Sequence, residues 1–75
     1  MLDRIKVRPR LTELLKERGM TQLELSQLSG VTQASISRFD RNSRHEAVHL
    51  FAIARALDLR VEDLFEVEAE RVLGR

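Results

Sequence analysis

The side chains of Gln33 and Arg38 are the most chemically specific groups in this chain. A glutamine amide matches the donor and acceptor pattern of adenine, and a guanidinium presents the paired donors that match guanine. Ala34 offers a methyl group that can meet the methyl of thymine. His45 and His49 form a second constellation, four residues apart, a spacing that can hold a metal on one helical face. No acidic or cysteine ligand completes that set, so surface or capping histidines are expected, with no metal and no cofactor. Ser35, Ser37 and the histidines suggest no triad, because a chain this small cannot enclose nucleophile, base and oxyanion donors together. An enzyme is not expected.

Reading a base edge requires Gln33 and Arg38 to project from a helix held rigidly against a second one. Residues 21–41, TQLELSQLSGVTQASISRFDR, have the local chemistry for such a pair. Thr21 is a good N-cap, and Glu24 completes the capping-box spacing three residues on. Met20 and Leu25 stand at the positions of a hydrophobic staple. Gly30 can supply the left-handed residue that closes the first helix. Thr32 caps the next helix, and Val31 and Ile36 repeat the staple. The second helix carries Gln33, Ala34, Ser37 and Arg38 away from Ile36 and Phe39. Its outer face is polar but sparsely charged, whereas a merely solvated helix would usually carry Glu and Lys. Residues 33–41 are therefore expected to form a DNA recognition helix.

At 75 residues the chain is expected to be one domain, near the lower limit for a self-sufficient core. Hydrophobic residues make up 43% and aromatic residues only 4%, so the core must be aliphatic. Without cysteine, disulfides and thiolate metal sites are excluded, and an intracellular setting is the simple reading. No apolar run approaches the roughly 20 residues of a membrane helix, and no secretory h-region is evident at the N-terminus. Net charge is only +1, but residues 1–44 carry nine Arg/Lys against five Asp/Glu, and residues 45–75 four against seven. The half holding the recognition helix is thus basic and suited to phosphates, the other half acidic.

Ile5 and Val7 alternate with Arg4, Lys6 and Arg8, a short strand pattern that Pro9 ends. The first helix is expected from Pro9 to Arg18, burying Leu11, Leu14 and Leu15 and stopping at Gly19. The second spans about 22–29, with Leu25 and Leu28 buried and Ser26 small enough for close approach. The third spans about 33–41 and ends near Asn42, which tolerates the left-handed conformation. Ser43 and Glu46 have the spacing of another capping box, opening a fourth helix with Ala47, Leu50, Phe51, Ala54 and Leu57 inward. Residues 61–65 read as one further helical turn. In the tail, Phe65, Val67 and Ala69 alternate with Glu66, Glu68 and Glu70. A strand facing Arg4, Lys6 and Arg8 and a frayed helical extension both remain open.

With Thr21–Gln22, Leu25, Gly30–Val31–Thr32, Ile36–Ser37 and Asp40 in place, the chain resembles the Cro/C1-type (xenobiotic-response-element) helix-turn-helix family. Ile53–Ala54, Leu57 and Leu64–Phe65 extend the resemblance over residues 9–65. It implies an all-α fold, a compact five-helix lambda-repressor-like domain, to which the terminal β pairing would be an addition. It also implies roles for individual residues. Thr32, Gln33, Ala34, Ser37 and Arg38 fall where family members touch bases. Thr21, Gln22, Arg41, Asn42, Ser43 and Arg44 fall where they touch the phosphate backbone. Three positions depart from the pattern. Leu15 stands where many members have an arginine that pairs with the acidic residue ending the third helix, which leaves Asp40 to Arg18, Arg44 or a local cap. Asn42 and Asp58 stand where glycine is usual.

The resemblance implies a prokaryotic or phage transcriptional regulator, a repressor acting on double-stranded DNA as a homodimer at a pseudo-palindromic operator, and a cytoplasmic, nucleoid-associated location. The acidic half, through Phe65, Val67, Val72 and Leu73, is the surface most available to a second copy. Two alternatives share the fold: an antitoxin that also binds a toxin partner, and a protein-interaction module that does not bind DNA.

Overall fold

The computed structural model describes residues 2–72, in the order β1 (Leu2–Pro9), α1 (Leu11–Arg18), α2 (Gln22–Ser29), α3 (Gln33–Arg38), α4 (Ala47–Ala56) and β2 (Phe65–Val72). Two 3-10 turns, Phe39–Arg41 and Val61–Leu64, follow α3 and precede β2. Among the described residues there are four α-helices, and the place of a fifth is taken by the second 3-10 turn. The protein is mostly helical with a two-stranded sheet, and the five-helix count implied by the resemblance is not met.

The helical body closes on Leu11, Leu14 and Leu15 of α1, Leu25, Val31, Ile36, Phe39, then Ile53, Ala54 and Leu57 at the end of α4, and Leu64. Nearly all of these are aliphatic, as the composition requires. Leu25, Ile53 and Leu64 have no solvent exposure. α4 differs from its expected orientation: Ile53, Ala54 and Leu57 are buried, Leu50 is half-buried, and Ala47 and Phe51 face solvent. Leu28, expected in the core, is also exposed. Both lie on apolar stripes wider than a body of this size can cover.

Local chemistry sets most helix ends. Thr21 Oγ1 accepts from the Glu24 N–H at 3.0 Å, and Glu24 Oε1 accepts from the Thr21 N–H at 2.9 Å, the reciprocal box expected at α2. Gly30 ends α2 at φ 78°, where a side chain would be strained. The box expected at Ser43 does not form: α4 begins at Ala47, with Glu46 as an extended N-cap residue that makes no side-chain cap. Pro9 does not open α1 either. It is the last residue of β1, and Arg10 precedes the helix. Its fixed φ and missing N–H suit a strand end as well as a first helical turn.

The termini form an antiparallel ribbon, which resolves the tail as a strand. Its register sets Arg4 opposite Glu70, Lys6 opposite Glu68 and Arg8 opposite Glu66, the charge match expected from the sequence. Arg8 and Glu66 meet at 2.8 Å. Arg10 fastens the ribbon's base to the body: its N–H donates to the Leu64 carbonyl at 3.0 Å and its Nε to that of Asp63 at 3.2 Å. Val72 pairs with Leu2 in the register, and Leu73 lies outside the described residues.

Candidate nucleic-acid interface

A six-residue helix has little stability of its own, so α3 depends on its anchors. Thr32 Oγ1 accepts from the Ser35 N–H at 3.3 Å and donates to Ser35 Oγ at 3.0 Å. Val31, Ile36 and Phe39 are buried and fix one side of the helix. The turn from α2 is tied on both sides: Ser26 Oγ donates to the Val31 carbonyl at 2.6 Å, and the Val31 N–H donates to Ser29 Oγ at 3.1 Å. Ser26 therefore does more than leave space, because its hydroxyl bonds the two helices' connection. Opposite this anchored side, Gln33, Ala34, Ser37 and Arg38 are all exposed.

The C-terminal end of α3 is held by two interactions that sequence reading missed. Asp40 sits in the 3-10 turn, and its Oδ1 and Oδ2 accept from the backbone N–H groups of Leu11 and Thr12 at 2.8 and 2.9 Å. This carboxylate caps the N-terminus of α1, where unpaired amides and the helix dipole both favour negative charge. Neither Arg18 nor Arg44 serves as its partner, and the cap is not local. Leu15 can therefore stand where an arginine would otherwise meet Asp40, and it is buried instead. His45 supplies the second interaction. Its Nε2 lies 2.8 Å from the Phe39 carbonyl oxygen, which makes that nitrogen the donor. Its ring also packs on Phe39 at 4.2 Å between centroids and edge-on to Phe65 at 5.7 Å. His49 instead faces Glu46 at 3.3 Å. The two histidines are thus engaged with different partners.

The residues assigned to phosphates fall into two groups. Thr21 and Gln22 line a recess with Thr12 and Lys16 at the N-terminus of α2. There the N–H groups of Gln22 and Leu23 point out of the helix without intrahelical acceptors. The Thr21 hydroxyl accepts the cap bond yet keeps its own proton to donate. The same hydrogen bonds, first that of the Thr21 N–H, hold the Glu24 carboxyl below the usual glutamate range. Arg38, Asn42 and Arg44 line a cavity of about 180 Å³ between α3 and the start of α4. Arg41 and Ser43 are exposed on the same connection. Asn42 is extended, at φ −92° and ψ 141°, and not left-handed, so this loop needs no glycine. Asp58 is left-handed, at φ 57°, where the family pattern has glycine.

An anchored, outward-facing short helix packed on a capped partner is the architecture of a helix-turn-helix DNA-binding protein. The chain matches the Cro/C1-type HTH DNA-binding domain over residues 10–70, and it belongs to that family. It is 33% identical over 70 residues to an uncharacterized HTH-type transcriptional regulator of Archaeoglobus fulgidus, which covers 92% of this chain and 100% of the relative. No solved structure matches the chain. Membership makes it a DNA-binding regulator of transcription. Among the described residues no helix is long and apolar enough to cross a membrane.

Proposed function

We propose that this chain, acting as a single domain over residues 1–75, is a sequence-specific transcriptional repressor that binds a pseudo-palindromic operator as a homodimer. The observation that carries the reading is the outer face of α3. Gln33, Ala34, Ser37 and Arg38 are exposed while Ile36 and Phe39 lock the opposite side. Gln33 reads adenine, Arg38 reads guanine, Ala34 meets a thymine methyl, and Thr32 and Ser37 complete the base-facing edge. Thr21 and Gln22 hold one stretch of phosphate backbone, and Arg41, Asn42, Ser43 and Arg44 the next. One short helix reads only a few base pairs, so specificity calls for two copies on half-sites about one helical turn apart. Filling the major groove at an operator is enough to exclude competing proteins, which makes repression the expected sign.

Selection from a random duplex pool with the purified protein gives the operator, and anisotropy titrations then test the face. Gln33→Ala and Arg38→Ala should each lose about 1–3 kcal/mol of operator binding with little change on random duplex. Arg44→Ala should weaken both duplexes alike and lower the salt slope by about one. Equal losses on operator and random duplex for Gln33→Ala and Arg38→Ala would refute base reading by α3.

A further inference from the structure

The ribbon is amphipathic in a way that the DNA-binding body does not use. Its register places Ile5 opposite Ala69 and Val7 opposite Val67, and strand alternation puts all four on one face. That face stays open: Ile5 is 63% exposed, Val7 56% and Val67 52%. The other face carries Lys6 opposite Glu68 and Arg8 opposite Glu66. A two-stranded ribbon with no covering layer is marginal in water. We propose that the apolar face binds a second copy of this chain, the two ribbons stacking face to face across a two-fold axis.

The charge pattern selects both the occupant and the geometry. Ile5, Val7, Val67 and Ala69 are all uncharged, so nucleic acid, lipid headgroups or a charged peptide find nothing complementary at these four positions. A second identical face is complementary to it. Joining two β1 edges about a two-fold would set Arg4, Lys6 and Arg8 beside their own copies, and joining two β2 edges would do the same for Glu66, Glu68 and Glu70. Like charges across strands are destabilising. Joining β1 of one copy to β2 of the next satisfies the charges but never closes, leaving a free edge at each end. Face-to-face stacking closes with two copies and leaves the Lys6–Glu68 and Arg8–Glu66 pairs on the opposite face, in solvent. Four residues fall short of the roughly 800 Å² per partner of a standard interface, so the contact is weak in free solution. Two copies tethered on adjacent half-sites gain it by effective concentration.

The choice of a two-fold partner rests on the operator reading above, and the experiment separates the two. The selected duplex and a single half-site are titrated with wild type, Val67→Glu and Ile5→Glu, with far-UV circular dichroism as the check on folding. The expected result is cooperative wild-type binding, loss of cooperativity by tenfold or more in both variants, and unchanged half-site affinity. In parallel, Val67→Cys should form intermolecular disulfides at least tenfold faster than Glu68→Cys on the charged face. Cooperativity retained by both variants, or equal cross-linking rates, overturns the ribbon interface while leaving the dimer. Non-cooperative wild-type binding overturns both.

Discussion

The helical body and the terminal ribbon obey opposite rules within one short chain. In the body, eleven hydrophobic residues are buried and first-turn amides of α1, α2 and α3 are matched to side-chain caps. In the ribbon, Ile5, Val7 and Val67 lie in solvent, and Lys6 and Arg8 stand opposite Glu68 and Glu66. The body's stability is therefore its own. The ribbon is joined to it through Arg10 and the Pro9–Phe65 register pair, and its apolar face is available to another molecule.

The largest test of this contrast compares truncations. Ile53→Ala removes a side chain with no exposure and should cost about 2–5 kcal/mol, a large share of what so small a domain holds. Val67→Ala, half-exposed, should cost under about 1 kcal/mol at concentrations where the protein is monomeric. Chemical denaturation measures both. Similar losses would mean that the ribbon is part of the core.

Next in size is Asp40, the joint between the reading helix and α1. Asp40→Ala abandons two amides at the start of α1 and should cost about 1–3 kcal/mol. Asp40→Asn keeps one acceptor and should fall between. Because the contact orients the end of α3, half-site affinity should drop beyond what unfolding accounts for. A variant with unchanged melting and unchanged affinity would remove Asp40 from the joint.

These two regions were not equally legible in the sequence. The α2 box and the ribbon register could be read because each is a short-range or periodic pattern: Thr21 to Glu24, and charge alternating on both strands. Asp40 could not be read, because its partners are backbone amides 28 and 29 residues away, which have no side-chain signature. The Ser43–Glu46 spacing misled for a related reason. A box requires the chain to turn helical after Ser43, whereas His45 is drawn instead to the Phe39 carbonyl. Leu28 and Phe51 stand at correct helical spacing, but periodicity gives the width of an apolar stripe and not how much of it finds cover. The base-facing residues were legible as a face, since Ile36 and Phe39 define its reverse.

A smaller effect comes from the α2 cap. Thr21→Ala should cost about 1 kcal/mol, as loss of a threonine cap generally does. Glu24 sets the pH dependence. Its folded value is depressed by the Thr21 bonds, so its contribution is present above the unfolded value and is lost as pH falls through the folded one. The melting difference between wild type and Glu24→Gln should therefore be present at neutral pH and shrink on acidification below about pH 4. A difference independent of pH would mean that the charge of Glu24 adds nothing to the cap.

The smallest expected effect is that of the Arg8–Glu66 pair, and its size bears on what the ribbon's charges do. The pair is short, at 2.8 Å, but both side chains are more than half exposed. Exposed pairs are worth about 0–1 kcal/mol and are screened by salt. A double-mutant cycle of Arg8→Ala and Glu66→Ala should return a coupling in that range, falling further in high salt. Exchanging the charges, Arg8→Glu with Glu66→Arg, preserves the cross-strand match and should leave monomer stability nearly unchanged. The exchange should also leave the dimer intact if the copies meet through the apolar face, because the charged face then stays in solvent. Association that weakens on the exchange would show that the charges belong to the interface and that the copies meet edge to edge.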